Sequence, residues 1–492
     1  MKHSLKQETL RHLRETFGLT DYRPGQKAAV QALLSGRDVM CILPTGAGKS
    51  LCWQLPAVVH AGVTVVISPL IALMRDQVQH LAAIGVPAVA LDSLMSPAEK
   101  EQALSAIRSG AVRIVFVSPE RLQQGSFRHL CKEIQPWMIV VDEAHCIVQW
   151  GGEFRPAYRQ IGDFLHGLQK RPVLCALTAT ADKRIQRAVI RELAAQKMKR
   201  IILPHIRENL VYEVRTTLDS WGEILRLYQR EPNKTVVFCG ARAAAERLSQ
   251  RLTSHGISAA YYHAELERTE RLAVQERFRT GEIQVLCATS AFGMGVDIPD
   301  IRRVIHAHLP ADLIDYAQQS GRAGRDGNPA TCMLLLEPND LLVEARRPGK
   351  VQGSGLMKHV RQRMDRRRSW RKIEKLLHAL LATECIPAAM AKALGQRVPP
   401  CGKCSACRKG QALKDIPHFY GMKEWQLRLW FLRWQRSKLA EERGCAAGQL
   451  ITDAALGRAA QRLVFPEGTD APPEMERLLA YFRGKGMHDP RS

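Results

Sequence analysis

From about residue 38 to 335, short runs rich in Val and Ile alternate with longer stretches of helical spacing. The runs DVMCIL, VTVVIS, RIVFVS, WMIVVD and VLCALT come first, and TVVFC, IQVLCA and RVIHAH follow after a gap. Short apolar runs without polar alternation suit strands buried on both faces, and the helical stretches between them supply the crossovers that parallel pairing requires. The pattern predicts parallel sheets covered by helices. The first group ends near Thr180 and the second begins near Lys234, with LPHIRENLVYEV in the stretch between. Two α/β lobes in tandem are therefore expected, and 492 residues are more than one core usually organises.

Residues 43–50, LPTGAGKS, follow the run DVMCIL and precede a plausible helix, LCWQLPAV. Gly46 and Gly48 let backbone amides approach phosphate oxygens, Lys49 can reach terminal phosphates, and Ser50 can ligate magnesium; Thr45 lies in the same loop. Position 43 is Leu where the strict phosphate-loop pattern has Gly. WMIVVDEAH supplies the acidic half, because the apolar strand delivers Asp142 to its carboxyl end, where it can hold the metal, while Glu143 orients and deprotonates water. QQSGRAGRDG, residues 318–327, offers Gln318, Arg322 and Arg325 from the second lobe. A guanidinium entering from across a cleft stabilises charge on a transferring phosphoryl group, and Arg325 is the preferred residue, with Arg322 in support. Hydrolysis then requires the lobes to close.

Net charge is +24. Residues 341–410 hold 17 Lys/Arg against 4 Asp/Glu, more than half of the excess. Such a surface draws polyanions. Apolar positions Met357, Val360, Met364, Trp370, Ile373, Leu377 and Leu380 recur at helical spacing among these arginines, which predicts an amphipathic basic helix or helix pair. The longest apolar runs fall far short of the roughly 20 residues a membrane span needs. The charged N-terminus lacks the apolar stretch of a secretory signal, and the expected compartment is the cytoplasm.

Most of the 13 cysteines stand singly in apolar runs and read as reduced core residues. Cys385, Cys401, Cys404 and Cys407 differ, because CGKCSAC gathers three thiols within seven residues. Four thiolates can close a tetrahedral zinc site, an iron–sulfur cluster uses the same ligands, and uncoordinated thiols are the third reading.

These motifs together resemble the RecQ family of superfamily 2 helicases, over roughly residues 10–410. The resemblance implies two RecA-like lobes, a helical zinc-binding domain and a small helical C-terminal region. Domains are expected at 1–208, 209–338, 339–412 and 413–492, the last weakly similar to the HRDC module. FGLTDYRPGQ is similar to the family's nucleotide-recognition motif, which implies that Arg23 and Gln26 contact adenine. SPLIALMRDQV, with Ser68 and Arg75, and SPERL, with Ser118 and Arg121, resemble its strand-tracking motifs. LTATA at 177–181 resembles the segment coupling ATP state to DNA grip, and Thr289 and Asp297 occupy interlobe motif positions.

CIVQWGGEFRPAY, residues 146–158, looks like the family's aromatic-rich loop, which senses single-stranded DNA. Trp150, Phe154 and Tyr158 beside Arg155 could stack on unpaired bases. Gly152 replaces the usual histidine, and Glu153 an aspartate, which implies altered coupling of sensing to hydrolysis. Only about 15 residues separate Cys407 from the next helical segment, so a complete winged helix does not fit. In the tail, Trp425, Leu427, Trp430 and Trp434 are expected in a helical core.

The expected function is an ATP- and magnesium-dependent DNA helicase, with zinc as a structural metal and 3′ to 5′ translocation implied by the resemblance. Single-stranded and forked DNA are the expected partners of a monomer, with single-stranded-DNA-binding or recombination proteins beside it in DNA repair. The rivals are an RNA helicase or a translocase that separates no strands, and a nucleic-acid recruitment module with a vestigial ATPase.

Overall fold

The computed structural model describes residues 3–485 except 45, 150–155, 180, 205, 294–297, 347–355, 382–384, 410–421, 444, 464, 467–468 and 470. Among the described residues, thirteen strands form two parallel sheets. The first contains β1 (Val39–Ile42), β2 (Thr64–Ile67), β3 (Ala88–Leu91), β4 (Ile114–Val117), β5 (Met138–Val141), β6 (Val173–Thr178) and β7 (Lys199–Ile202), in the order β3-β4-β2-β5-β6-β1-β7. The second contains β8 (Leu210–Thr216), β9 (Thr235–Phe238), β10 (Ala259–Tyr262), β11 (Val285–Ala288), β12 (Arg303–His306) and β13 (Ala330–Leu336), in the order β10-β11-β9-β12-β13-β8.

The central strands β1, β2, β4, β5, β9, β11 and β12 are buried at every position, including the polar ends Thr64, Thr235, Arg303 and His306 of otherwise apolar runs. At the start of β1 the Asp38 carboxylate accepts from the Leu174 amide at 2.9 Å and from both Arg171 Nη atoms, which pins β1 beside β6. β7 and β8 sit at sheet edges, where one side of the strand keeps polar residues. LVYEV had read as part of the inter-lobe stretch; it forms β8, so the second sheet begins at Leu210, before Lys234. Its polar alternation, set by edge exposure, hid it from a search for apolar runs.

Residues Leu356–Leu381 form one 26-residue helix, resolving the choice between a helix and a pair. Trp370, Ile373, Leu377 and Leu380 are buried, whereas Met364 is 52% exposed; the side chains of Met357 and Val360 lie outside the described residues. In the tail, helix Glu424–Arg443 packs on helix Pro338–Arg346 of the second lobe and on helix Pro473–Lys485. Leu427 is fully buried there. Trp425, Trp430 and Trp434 are only partly covered. The Trp430 and Trp434 ring centroids lie 5.3 Å apart. Tyr481 Oη donates to Glu337 Oε2 at 2.8 Å and fastens the last helix to the end of β13.

No helix among the described residues is long and apolar enough to cross a membrane. Leu334 in β13 is fully buried between β12 and β8. Leu334→Ala should destabilise the second lobe by about 2–5 kcal/mol through lost transfer energy and the cavity left behind. Chemical denaturation followed by hydrogen exchange on β12 and β13 measures this.

Candidate ATPase site and nucleic-acid interface

The last ladder contact of β1, Leu43 N to Thr178 O at 3.2 Å, releases the chain into the glycine loop. Gly46 and Gly48 have φ of +82° and +73°, where an L side chain is strained. A Cβ at Gly48 would also stand 2.5 Å from Gln26 Nε2. Gln26 Nε2 donates to Gly48 O at 2.9 Å, its Oε1 accepts from Arg23 N at 2.8 Å, and Arg23 Nη1 donates to Gly46 O at 2.8 Å. The pair expected at adenine thus also shapes the phosphate loop. Lys49 Nζ donates to Leu43 O at 3.4 Å, and Ser50 precedes helix Leu51–Val59. Burial lowers the Lys49 pKa, the Arg325 charge lowers it further, and Glu143 and Asp142 oppose both. Thr45 lies outside the described residues.

β5 ends beside β2, and Asp142 N donates to Ile67 O at 2.9 Å. Glu143 then takes φ +47°, an uncommon left-handed conformation for a residue with a side chain, and turns sharply out of the strand direction. Glu143 N donates to Asp142 Oδ1 at 2.9 Å. Asp142 is raised by burial and by the Glu143 charge. Burial would raise Glu143 too, but His145, Lys49 and Arg322 more than offset it and hold it down. Glu143 Oε2 is buried, and His145 Nδ1 lies 3.2 Å from it.

His145 was not singled out from the sequence, yet it joins three motifs. Its Nδ1 lies 2.9 Å from Thr178 Oγ1 and 3.2 Å from Glu143 Oε2, and its Nε2 lies 3.5 Å from the Gln318 amide of the second lobe. Burial works against its charge, but the Cys146 and Glu143 contacts raise its pKa to about 10. The letters DEAH contain the residue; its cross-lobe contact has no local sequence signal.

Asp312 caps helix Leu313–Ser320, which leads into the turn bearing Arg322 and Arg325. Arg207, also absent from the sequence-based set, grips that turn through Nη1 to Gly324 O at 2.9 Å and Nη2 to Gly321 O at 2.8 Å and Ala323 O at 2.5 Å. Gly324 has φ +54°, and a Cβ there would stand 2.5 Å from Asn209 Nδ2 and 2.7 Å from Asn328 O, so the turn needs glycine. A Cβ on Gly46 would lie 3.6 Å from Arg325 Cγ, which puts Arg325 against the phosphate loop. Arg322 is buried, with Nε unpartnered among the described residues. Burial and the Arg325 charge lower its pKa to about 9 against the pull of Glu143.

The residues expected to track DNA lie at the carboxyl ends of strands, where open α/β sheets bind ligands. Ser68 follows β2 with its Oγ buried and unpartnered among the described residues, and the Ser118 carbonyl after β4 accepts from Arg121 N at 3.0 Å. Arg121 Nε is buried without a partner among the described residues. Arg75 is different, because its Nε and Nη2 bind both Asp92 oxygens at 2.7 and 3.0 Å. Thr289 follows β11, with its amide donating to Tyr262 O at 3.0 Å. Trp150, Phe154, Arg155 and Asp297 lie outside the described residues, as do Gly152 and Glu153. Tyr158, read as a base-stacking residue, is fully buried under the acidic turn, with Oη 3.5 Å from Asp142 O. It is a core residue, because the chain turns inward at Pro156–Gln160.

The Sγ atoms of Cys385, Cys401, Cys404 and Cys407 all lie within 4.8 Å of one another. Tetrahedral zinc–thiolate bonds of about 2.3 Å put sulfurs roughly 3.8 Å apart, so the cage fits a metal. The amides of Cys401, Cys404 and Cys407 point at Sγ of Cys385, Cys401 and Cys404 at 3.2, 3.4 and 3.4 Å, and such bonds favour thiolates. The cage also covers the free edge of β8: Val214 N donates to Ser405 Oγ at 3.1 Å, and Arg408 Nη2 pairs with Glu213 at 2.6 Å.

Residues 23–188 match the DEAD/DEAH box helicase family, and 218–327 match the helicase conserved C-terminal domain. The ATP-dependent DNA helicase RecQ of Bacillus subtilis is 35% identical over 403 residues, covering 81% of this chain and 67% of that protein. RecQ of Pasteurella multocida is 40% identical over 337 residues, 68% of this chain and 53% of its own length. The ATP-dependent helicase SGS1 of Saccharomyces cerevisiae is 40% identical over 346 residues, 68% of this chain and 24% of that protein. The chain thus spans from a quarter to two thirds of these relatives. Among solved structures, the helicase MrfA bound to DNA has a TM-score of 0.57 at 22% identity, covering 69% of this chain and 52% of that one. Mss116p bound to single-stranded RNA and AMP-PNP has 0.56 at 16%, covering 80% and 88%; both likenesses concern the fold. With the two-lobed fold and the motifs set across its cleft, the chain belongs to the RecQ family of ATP-dependent DNA helicases.

Proposed function

We propose that this chain hydrolyses ATP to move 3′ to 5′ along single-stranded DNA and separate duplexes in DNA repair or recombination, as a monomer at the chromosome in the cytoplasm. The observation that carries this reading is the composite site: Arg325 rests against the phosphate loop, and the Arg322 charge acts on Glu143, although both arginines belong to the other sheet's lobe. The loop amides and Lys49 receive the triphosphate, with Arg23 and Gln26 at the base. Ser50 and Asp142 would hold magnesium, which would supply charge neutralisation at the phosphates. Glu143 orients the attacking water and accepts its proton. Arg325, supported by Arg322, stabilises charge on the transferring group, so turnover depends on lobe closure. Gln318, through His145, reports that closure to Glu143 and to Thr178 of LTATA.

Beyond the cleft, Ser68, Ser118, Arg121 and Thr289 hold the strand's phosphates, and Trp150 and Phe154 meet unpaired bases while Arg155 meets phosphate. Arg75, committed to Asp92, acts by shaping this track. The four cysteines hold zinc in a structural role, tying the basic helix to the edge of β8.

Lys49→Ala should abolish ATP turnover and unwinding together. Arg325→Ala should lower kcat about a thousandfold, with ATP binding by the first lobe retained. Equilibrium nucleotide binding beside turnover separates the two variants.

Hydrolysis should rise with single-stranded DNA more than with RNA, and 3′-tailed duplexes should be unwound in preference to 5′-tailed ones. Absence of nucleic-acid stimulation would refute the motor, and stimulation without strand separation would favour a translocase.

Purified protein should carry about one zinc ion in its single four-thiolate site, without iron–sulfur absorbance. Chelation should expose the edge of β8 to hydrogen exchange; a metal-free protein with that edge still protected would remove the zinc assignment.

A further inference from the structure

The long helix Leu356–Leu381 touches both lobes through two lysines one turn apart. On the second lobe, Lys372 Nζ donates to Asp312 Oδ2 at 3.0 Å. On the first, Lys375 Nζ lies 3.8 Å from Asp182 Oδ2. Each acid is already a helix cap. Asp312 accepts from the amides of Ile314 and Asp315 at 2.9 and 3.0 Å and begins the helix that ends beside Arg322. Asp182 accepts from the amides of Arg184 and Ile185 at 3.0 and 2.9 Å and begins helix Lys183–Glu192, directly after LTATA. One rigid helix therefore holds the first residues of two elements, each joined in sequence to one side of the ATPase cleft.

The two contacts differ in strength. Asp312 is 11% exposed and its lysine is within hydrogen-bond distance, whereas Asp182 is 28% exposed and its lysine is farther off. The helix also packs against helix Leu313–Ser320 of the second lobe. It should travel with that lobe, leaving Lys375–Asp182 as the contact made and broken between lobes. A second touch from the same region reaches the first lobe: Gln396 Nε2 donates to Leu203 O at 2.8 Å.

We propose that Lys372 and Lys375 are positioning residues, an interlobe clasp that holds the caps of helices Leu313–Ser320 and Lys183–Glu192 in the register at which Arg325 meets the phosphate loop. The proposal rests on the reading that hydrolysis needs the lobes closed. Exposed ion pairs add little to global stability. This one acts on an equilibrium between two arrangements of the lobes, where a small differential contact shifts populations directly.

Asp182→Asn keeps a capping oxygen and removes the charge, and Lys375→Met keeps the stem. Each single variant should lower the kcat of DNA-stimulated hydrolysis about three- to fivefold, the scale of one exposed pair, with KM for ATP unchanged. The double variant should be no worse than either single, because both remove one interaction. Unchanged kcat in both singles, or losses that multiply in the double, would overturn the clasp.

A carbodiimide reaction on the full chain supplies a test independent of turnover: it activates the Asp182 carboxyl, the Lys375 amine attacks, and an amide forms with loss of the urea. Mass spectrometry should find the 182–375 link, with its yield raised by a non-hydrolysable ATP analogue. Absence of the link, or indifference to nucleotide, would overturn the proposal. Wild-type protein without DNA-stimulated hydrolysis would instead refute the helicase reading, and the cross-link would still judge the clasp.

Discussion

Strands buried on both faces leave a chain only their ends for chemistry, and parallel pairing puts every carboxyl end on one edge of the sheet. The rest of this structure follows from that constraint. Backbone contacts just past the strands, Leu43 to Thr178 and Asp142 to Ile67, hold the residues at which the chain leaves the ladder. Lys49 and Glu143 are thus displayed from rigid ground, on a loop and a turn whose backbone conformations are themselves unusual.

The electrostatics of the cleft are those of a site made for a polyanion. Among the described residues, Lys49, Arg322, Arg325 and His145 surround the carboxylates of Asp142 and Glu143. Burial and mutual repulsion lower Lys49 and Arg322, while Glu143 stays ionised beside its cations. Fixed charges in a partly dry cleft act more strongly than in water and need no reorganisation as the phosphoryl group moves. Arg207 serves this arrangement at one remove, since its three bonds to backbone carbonyls set the turn from which Arg322 and Arg325 project.

Several groups show how far a linear reading reaches. Gly46, Gly48, Lys49, Ser50, Asp142 and Glu143 were legible because each belongs to a short segment whose chemistry is local to a strand end. The cysteine cage was legible for the same reason, as three ligands fall within one knuckle. Tyr158 shared four-residue spacing with Trp150 and Phe154, and its burial makes it a core residue. Arg75 carried the charge expected of a phosphate contact, but Asp92, distant in sequence, takes both ends of its guanidinium. β8 was hidden by the polar alternation that its edge position permits.

What the sequence determined by itself was eight of the thirteen strands that the structure describes, the two lobes, the family, and the identity of groups acting within a few residues of one another. Hydrophobic period and motif spacing are local properties, and they survive in one dimension. The tertiary structure decided which groups meet across the cleft: His145 with Gln318, Arg325 with Gly46, and one basic helix with caps on both lobes. Those meetings join positions up to 279 residues apart, 325 minus 46, and depend on how two separate sheets pack. No segment of the chain encodes that packing alone, because it is a balance of contacts summed over both cores.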